Sequence, residues 1–522
     1  MAATVFGHQE GHETSVERIA LCFFGSRGDC QPYVALASCL QAHGHIVAAF
    51  SSEDMQGFVS DFGIPFTSLG KGGAKNSDGW DDNDPATKAI KDALTEGSTI
   101  KWMQAMSKGA KSSTMETFMS ATSALMDYKP DIILCGTLAD FIARPVSVKL
   151  QIPFIEVRLQ LIHPTNDRVG FGLPQGPLPC CGLDNLWMHR QLIEAGFKHS
   201  KKLDKRYKSV LGVEVWEGIA AKAVWHTTLN LPSPCVIVAS PRACQEVMYP
   251  DLPCNIKLTG FWVIQSGQQT KGAGNSHFGG DDTCRRLEDF LSVGEAPVYM
   301  GWGSMFCKSG EHMVLTACNA LMKSSKRGVI LGGWAKLSLE MLRSAAMNMD
   351  NGISLVEYVE RNVLFVAKAP HEWLFPRCTC IVHHGGAGTT AAALRAGVPA
   401  VITPIFADQY DHAVMISRLG VGVGMQQFMK NSEADLANAI TQCCTDTAII
   451  GKASELGKIL MAEDGVTTAV LEIEEVIALH RKGQFRTFVQ CARDRQIAIN
   501  RKRSCLLNFC LRSREPRIAN EP

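Results

Sequence analysis

The eight residues His383-His384-Gly385-Gly386-Ala387-Gly388-Thr389-Thr390 are the densest concentration of chemistry-bearing types in the chain. They follow an apolar run, CIV (380–382), and open an alanine-rich stretch, TTAAALRAG. Glycines in such a turn let backbone amides approach a ligand closely. The first turn of the helix that follows offers unpaired N–H groups and the positive end of its dipole. The Thr389 hydroxyl adds a donor, so the anion this pattern suits is a diphosphate. Further on come Asp408 and Gln409, a carboxylate beside an amide, able to accept and donate hydrogen bonds to sugar hydroxyls. A third group lies near the N-terminus, in Gly25-Ser26-Arg27-Gly28-Asp29. A positioned Asp29 carboxylate can take a proton from a hydroxyl. A helix-capping aspartate ahead of Pro32 is the plainer alternative.

These groups need elements to hold them. RIALCFF (18–24) reads as a strand, QPYVALASCLQAHGH as a helix ending at Gly44, and IVAAFSS as the next strand. Strand, turn, helix, strand is the opening of a parallel sheet with crossover helices. Asp131–Cys135 and IPFIEVRLQ (152–160) continue it, with a helix expected at 113–128. A second series begins at APVYMGWGSM (296–305). It runs through RGVILGG (327–333), NVLFVAKAP (362–370), CIVHHGGAGTT (380–390) and AVITPIFADQ (400–409), and helices at 433–444 and 450–480 close it. The fold class is α/β, with two parallel-sheet domains. The expected divisions are a polar tail 1–15, a first domain 16–245, a linker 246–295, a second domain 296–445, closing helices 446–480 and a basic tail 481–522. Segments 71–112 and 163–183, rich in Gly, Pro and Asp, read as surface loops.

Composition excludes several classes. Lys and Arg number 52 against 51 Asp and Glu, so nothing points to a nucleic-acid binder. The 19 cysteines are scattered, and Cys378-x-Cys380 lacks zinc-site spacing. Buried reduced thiols and no bound metal are the expectation. The N-terminal residues lack a basic start with an apolar run, and no apolar stretch reaches the ~18 residues of a membrane span. A cytoplasmic setting is expected, with the arginine-rich tail either solvated or drawn to an anionic membrane surface. GSRGD is not GxGxxG, and Glu53 and Asp54 lie too far on to hold a ribose, which argues against a dinucleotide oxidoreductase.

The run APHEWLFPRCTCIVHHGGAGTTAAALRAGVPAVITPIFADQ (369–409) resembles the donor-binding signature of sterol and lipid glucosyltransferases and of bacterial antibiotic glycosyltransferases. GSRGDCQPYVALASCLQAHGH (25–45) resembles the first turn and helix of the same superfamily. APVYMGWGSM and LTGFWV (258–263) resemble its domain-joining segments. The resemblance implies the GT-B fold, two Rossmann-like domains facing across a cleft. It implies an inverting, metal-independent transfer of a hexose, glucose by preference, from a UDP-sugar co-substrate to a hydrophobic hydroxyl compound, with no other cofactor. By residue, it implies His384 and Gly385, Gly386, Ala387, Gly388 and Thr389 on the diphosphate, with Ser304 nearby. It places His371 and Trp373 at the base and ribose, Asp408 and Gln409 on the sugar, and Asp29 as general base in the Gly25–Gly28 turn. His163 is a candidate acceptor contact. Lys368 and Ala392 stand where plant members carry a tryptophan and a glutamate, which fits the sterol and bacterial branch better. A catalytically silent relative that binds a nucleotide sugar or a lipid is the alternative.

Overall fold

The computed structural model describes residues 16–71, 85–96, 101, 104–105, 115–165, 184–229, 236–249, 252–271 and 273–512. Most of the expected loop at 163–183 and both chain ends lie outside them. The expected loop at 71–112 contains a helix, Pro85–Thr95.

Two parallel sheets form the frame. The first has seven strands in the order β3-β2-β1-β4-β5-β6-β7. They are β1 (Arg18–Cys22), β2 (Ile46–Ser51), β3 (Phe66–Ser68), β4 (Ile132–Cys135), β5 (Phe154–Arg158), β6 (Val236–Val238) and β7 (Ile256–Leu258). The second has six, in the order β10-β9-β8-β11-β12-β13. These are β8 (Val298–Gly301), β9 (Gly328–Leu331), β10 (Val363–Val366), β11 (Cys380–His383), β12 (Ala400–Ile402) and β13 (Gly422–Gly424). In both, the order reverses beside the first strand. That reversal opens a crevice at the carboxyl ends of the strands, where α/β sheets bind ligands. The central strands are buried along their whole length, as continuous apolar runs covered by helices on both faces must be.

Seven helices matter below. They are α1 (Arg27–Ala42), α2 (Asn185–Lys202), α3 (Ala221–Leu229), α4 (Ala387–Ala396), α5 (Gln409–Leu419), α6 (Gly465–Arg481) and α7 (Phe488–Arg512). α1 leaves β1 and α4 leaves β11, so each helix starts from a strand that borders the reversal in its sheet. The closing stretch expected at 450–480 is two helices, Thr447–Met461 and α6, divided where the Asp464 carboxylate accepts the Thr467 N–H at 3.1 Å.

α6 belongs to the first domain although it follows the second. Its Val470, Ile473 and Val476 share one buried core with Ile19, Leu21, Val34 and Leu36. Each such side chain stabilises by about 1.5–3 kcal/mol when withdrawn from water. Glu474 meets His43 at 3.2 Å and His45 at 3.4 Å.

Two expected boundaries move. The segment 246–295 is not a free linker, because β7 inside it completes the first sheet. Residues 481–522 do not begin as a solvated tail. α7 packs Phe488, Val489, Ala492 and Ile499 onto the first domain. Arg493 Nη2 donates to the carbonyls of Glu214 and Val215 at 3.2 and 3.3 Å. The stretch that follows β7 and the start of α6 touch each other. A Cβ on Gly260 would lie 3.0 Å from Gly465 Cα, and one on Gly465 would lie 2.6 Å from the Phe261 carbonyl oxygen.

Candidate active site

A cleft of about 820 Å³ separates the two domains, a size suited to a small-molecule ligand. Ser26, Arg27, Gly28 and Asp29 line it from the first domain; Ser304, His371, His384 and Gly386–Thr389 line it from the second.

The first turn is closed by its own side chains. The Asp29 carboxylate accepts the Ser26 N–H at 2.8 Å and the Ser26 hydroxyl at 2.9 Å, a capping box at the start of α1. Gly25 has φ +142°, and a Cβ there would lie 2.5 Å from that of Asp29. Only glycine leaves room for the carboxylate to fold under the turn. Both readings of Asp29 therefore meet in one residue: it caps the helix and it borders the cleft. Burial raises its pKa, the Ser26 bonds oppose that, and the Asp408 carboxylate raises it further.

The second turn is held by histidines. His383, fully buried, accepts the Gly385 N–H on Nδ1 at 3.1 Å. His412, from α5, donates to the Gly385 carbonyl at 2.6 Å. His384 lies between two glycines. A Cβ on Gly386 would come within 2.5 Å of its Nε2, and one on Gly303 within 3.2 Å of its Cε1. Gly386 is the N-cap of α4 and supplies no side-chain cap. The first N–H groups of α4 thus have no side-chain acceptor at the cap, while Gly386–Thr389 border the cleft. Burial holds the His384 imidazole neutral, with its pKa pushed down to about 4. The two turns touch, since a Cβ on Gly388 would lie 3.1 Å from the Gly28 carbonyl oxygen.

Other expected residues divide. Ser304 and Thr389 border the cleft. His371 does too; its Nε2 is 2.9 Å from the Tyr299 hydroxyl and its ring stacks on Phe375. Burial, then the Arg27 charge, pushes its pKa down to about 3. Trp373 is a correction. It lies on another surface, with Glu288, Leu291 and Arg377, and the Arg377 guanidinium sits 4.4 Å over its ring. Gln409 is a second correction. Its Oε1 accepts the N–H groups of Ile405 and Phe406 at 2.8 and 3.1 Å and its Nε2 donates to Met305 Sδ at 3.3 Å, so its amide is engaged away from the cleft. Asp408 accepts from Gln160 Nε2 at 2.8 Å, a bond between the domains. His163 is buried and does not line the cleft; burial and Arg158 push its pKa down to about 4. Gly25 and Gly385 shape their turns without lining the cleft.

Sequence reasoning missed His412, Gln160 and three cations at the cleft, Arg286, Lys336 and Lys368 in that role. With Arg27 they give the cleft a positive lining suited to a phosphorylated ligand. Trp334 lines the cleft, whereas Trp302 is core. Among the described residues no group of three or more His, Cys, Asp and Glu side chains converges to hold a metal ion, and the cysteines are free thiols, most of them buried.

The two halves of the chain and its overall fold have counterparts in known proteins. The glycosyltransferase family 28 N-terminal domain model matches residues 19–123, and the erythromycin biosynthesis protein CIII-like C-terminal domain model matches residues 335–476. Two solved structures share the architecture over most of the chain. The calicheamicin glycosyltransferase CalG4 has a TM-score of 0.55 at 15% identity, over 90% of this chain and 99% of that one. The glycosyltransferase VinC in complex with dTDP has a TM-score of 0.53 at 16% identity, over 88% and 99%. The chain has the GT-B fold.

Among curated relatives, the sterol 3-beta-glucosyltransferase of Komagataella phaffii is 25% identical over 471 residues, 87% of the GT-B chain and 34% of the relative. That of Saccharomyces cerevisiae strain YJM789 is 24% identical over 467 residues, 87% and 35%. The UDP-sugar-dependent glycosyltransferase 52 of Dictyostelium discoideum is 25% identical over 466 residues, 87% and 26%. The GT-B chain therefore spans between about a quarter and a third of the length of these relatives.

Proposed function

We propose that the GT-B chain transfers a hexose, glucose by preference, from a UDP-sugar to a hydroxyl of a hydrophobic acceptor such as a sterol. The observation that carries this reading is the uncapped N-terminus of α4 facing the Asp29 carboxylate across one cleft. The names of the sterol glucosyltransferase relatives support the acceptor class. That of the UDP-sugar-dependent relative supports the donor.

In the proposed reaction the acceptor oxygen attacks C1 of the sugar as Asp29 takes its proton. The C1–O bond to the diphosphate breaks, and a single displacement inverts the anomeric centre. Charge developing on the diphosphate meets the N–H groups of Gly386–Thr389, one N–H of neutral His384 and the cations lining the cleft. A raised pKa makes Asp29 a better proton acceptor than a solvent-exposed carboxylate. The Ser26 bonds fix its orientation. Asp408 stands nearby, tied to Gln160, and is the residue left to hold the sugar once Gln409 is set aside.

The test is a transfer assay on purified protein with UDP-glucose, dTDP-glucose or GDP-mannose, with and without sterol and phenolic acceptors. Acceptor-dependent release of UDP that disappears in Asp29→Asn supports the reading. The engagement of Asp29 in a capping box favours a second reading, a silent binder of nucleotide sugar. Tight UDP-glucose binding with no turnover on any acceptor would select it.

A further inference from the structure

Asp408 stands at the N-cap of α5, where a carboxylate ordinarily accepts the first N–H groups of the helix. It makes no such bond. Just before it the backbone turns left-handed at buried Ala407, φ +56°, a conformation costly for any residue with a Cβ. Strain of this kind persists only where the surrounding fold imposes it, and it gathers at ligand sites. The carboxylate reaches the other domain instead. Gln160 Nε2, two residues beyond β5, donates to Asp408 Oδ2 at 2.8 Å. Among the described residues that is the one hydrogen bond of the Asp408 side chain.

The loop that carries Asp408 is pressed against the second turn. A Cβ on Gly385 would lie 3.1 Å from the Gln409 carbonyl oxygen. Asp408 thus stands beside the turn proposed to hold the diphosphate. A hexose on that diphosphate would bring its hydroxyls to the same carboxylate. Two neighbouring hydroxyls span both oxygens of a carboxylate, which accepts such paired donors well. One of those oxygens is held by Gln160. The amide and a hydroxyl offer it the same thing, a neutral donor at hydrogen-bond distance.

We infer that the Gln160 amide competes with the donor sugar for the Asp408 carboxylate, an autoinhibitory contact between the domains that the sugar must displace. The inference rests on the proposed placing of the sugar at Asp408. A nucleoside diphosphate alone leaves the bond in place, and a ligand that carries the sugar breaks it. The contact therefore opposes the donor and not the spent nucleotide. Each donor that enters exchanges a bond between the domains for one to itself, so sugar binding in the second domain is felt at the end of β5 in the first.

The experiment is titration calorimetry of the full chain with UDP and with UDP-glucose, without acceptor. A hydrogen bond to a charged group is worth about tenfold in binding. Gln160→Ala should therefore bind UDP-glucose about tenfold more tightly than the parent, and UDP within about twofold of it. Gln160→Met, which keeps the length of the side chain without its amide, should do the same, with circular dichroism showing both folded. Asp408→Ala should weaken UDP-glucose and not UDP, and adding Gln160→Ala to it should gain nothing. Equal tightening of UDP and UDP-glucose would make Gln160 a brake on the movement of the domains and overturn the inference. Weaker UDP-glucose binding in Gln160→Ala would overturn it too, by making Gln160 a ligand of the sugar. So would a silent Gln160→Ala where Asp408→Ala has lost the contribution of the sugar. UDP-glucose affinity that survives Asp408→Ala would defeat the placing of the sugar, and the inference with it. A parent that binds neither compound would defeat the donor reading as a whole.

Discussion

The two turns that meet across the cleft arise the same way, from a central strand running into a helix, and they solve the helix N-terminus oppositely. At the start of α1 the backbone is satisfied from within, by Ser26 and Asp29, and the glycine at position 25 exists to let that carboxylate in. At the start of α4 the cap is Gly386, which brings no side-chain cap. His383 and His412 hold the turn from behind, through the N–H and carbonyl of Gly385. One turn spends its polar groups on itself and sets a carboxylate at the cleft; the other leaves its first amides without a side-chain acceptor at the cap. On the proposed reading, a strand-to-helix turn serves binding or catalysis according to whether ligand or side chains complete the helix.

The sharpest way to break this comparison is Asp29→Asn. Asparagine can still accept from the Ser26 N–H, so the cap survives while the base is lost. Turnover should fall by roughly 10²–10⁴ with UDP affinity unchanged, read from steady-state kinetics and calorimetry. A fall in UDP affinity without a fall in turnover would make Asp29 merely structural.

A glycine pair tests the other side. Gly386→Ala forces a methyl to within 2.5 Å of His384 Nε2, whereas a Cβ on Gly28 meets nothing nearer than the Ser26 hydroxyl at 3.9 Å. Overpacking of about 1–3 kcal/mol predicts a five- to hundredfold loss of UDP affinity for G386A. G28A should change it by less than about twofold. Equal effects would deny that the second turn is the anion site.

Acid distinguishes the turns again. His371 and His384 are held neutral, with pKa values pushed down to about 3 and about 4. A histidine of depressed pKa contributes stability above its unfolded value of ~6.5 that is lost as pH falls toward the folded one. Each such imidazole costs about 1.4 kcal/mol per pH unit in that window. The melting temperature should drop between about pH 7 and pH 5, less steeply in His371→Gln. The smallest effect concerns Asp408. Its charge helps raise the pKa of Asp29, so Asp408→Asn should move the acid limb of the pH–rate profile to lower pH. An unmoved limb would separate the two carboxylates.

Much of this was open to reading beforehand. The central strands of both sheets announce themselves as apolar runs ending at turns, and the octet at 383–390 concentrates glycine and histidine as few functions other than anion binding require. Other features hid for physical reasons. His371 and Trp373 are two residues apart on one helix, so they point to opposite sides, a consequence of helical geometry that the motif obscured. Gln409 turns back to accept the Ile405 and Phe406 amides, a contact that emerges only once the loop is folded. β13 is three residues, Gly-Val-Gly, too short for any periodicity. In α7 the apolar residues Phe488, Val489, Ala492 and Ile499 keep helical spacing, but the arginines between them mimic a solvated tail. His412 carried no glycine or repeat to mark it.

The contact between Gly260 and Gly465 has a mechanical consequence. The stretch that leads from β7 toward the second domain and the start of the helix that returns from it lie against each other at glycines. Two connections far apart would clamp the halves rigidly; two that coincide leave a single axis about which they can turn. Any opening of the cleft to admit a ligand would then be a rotation about one hinge pin, with the two turns separating as the jaws.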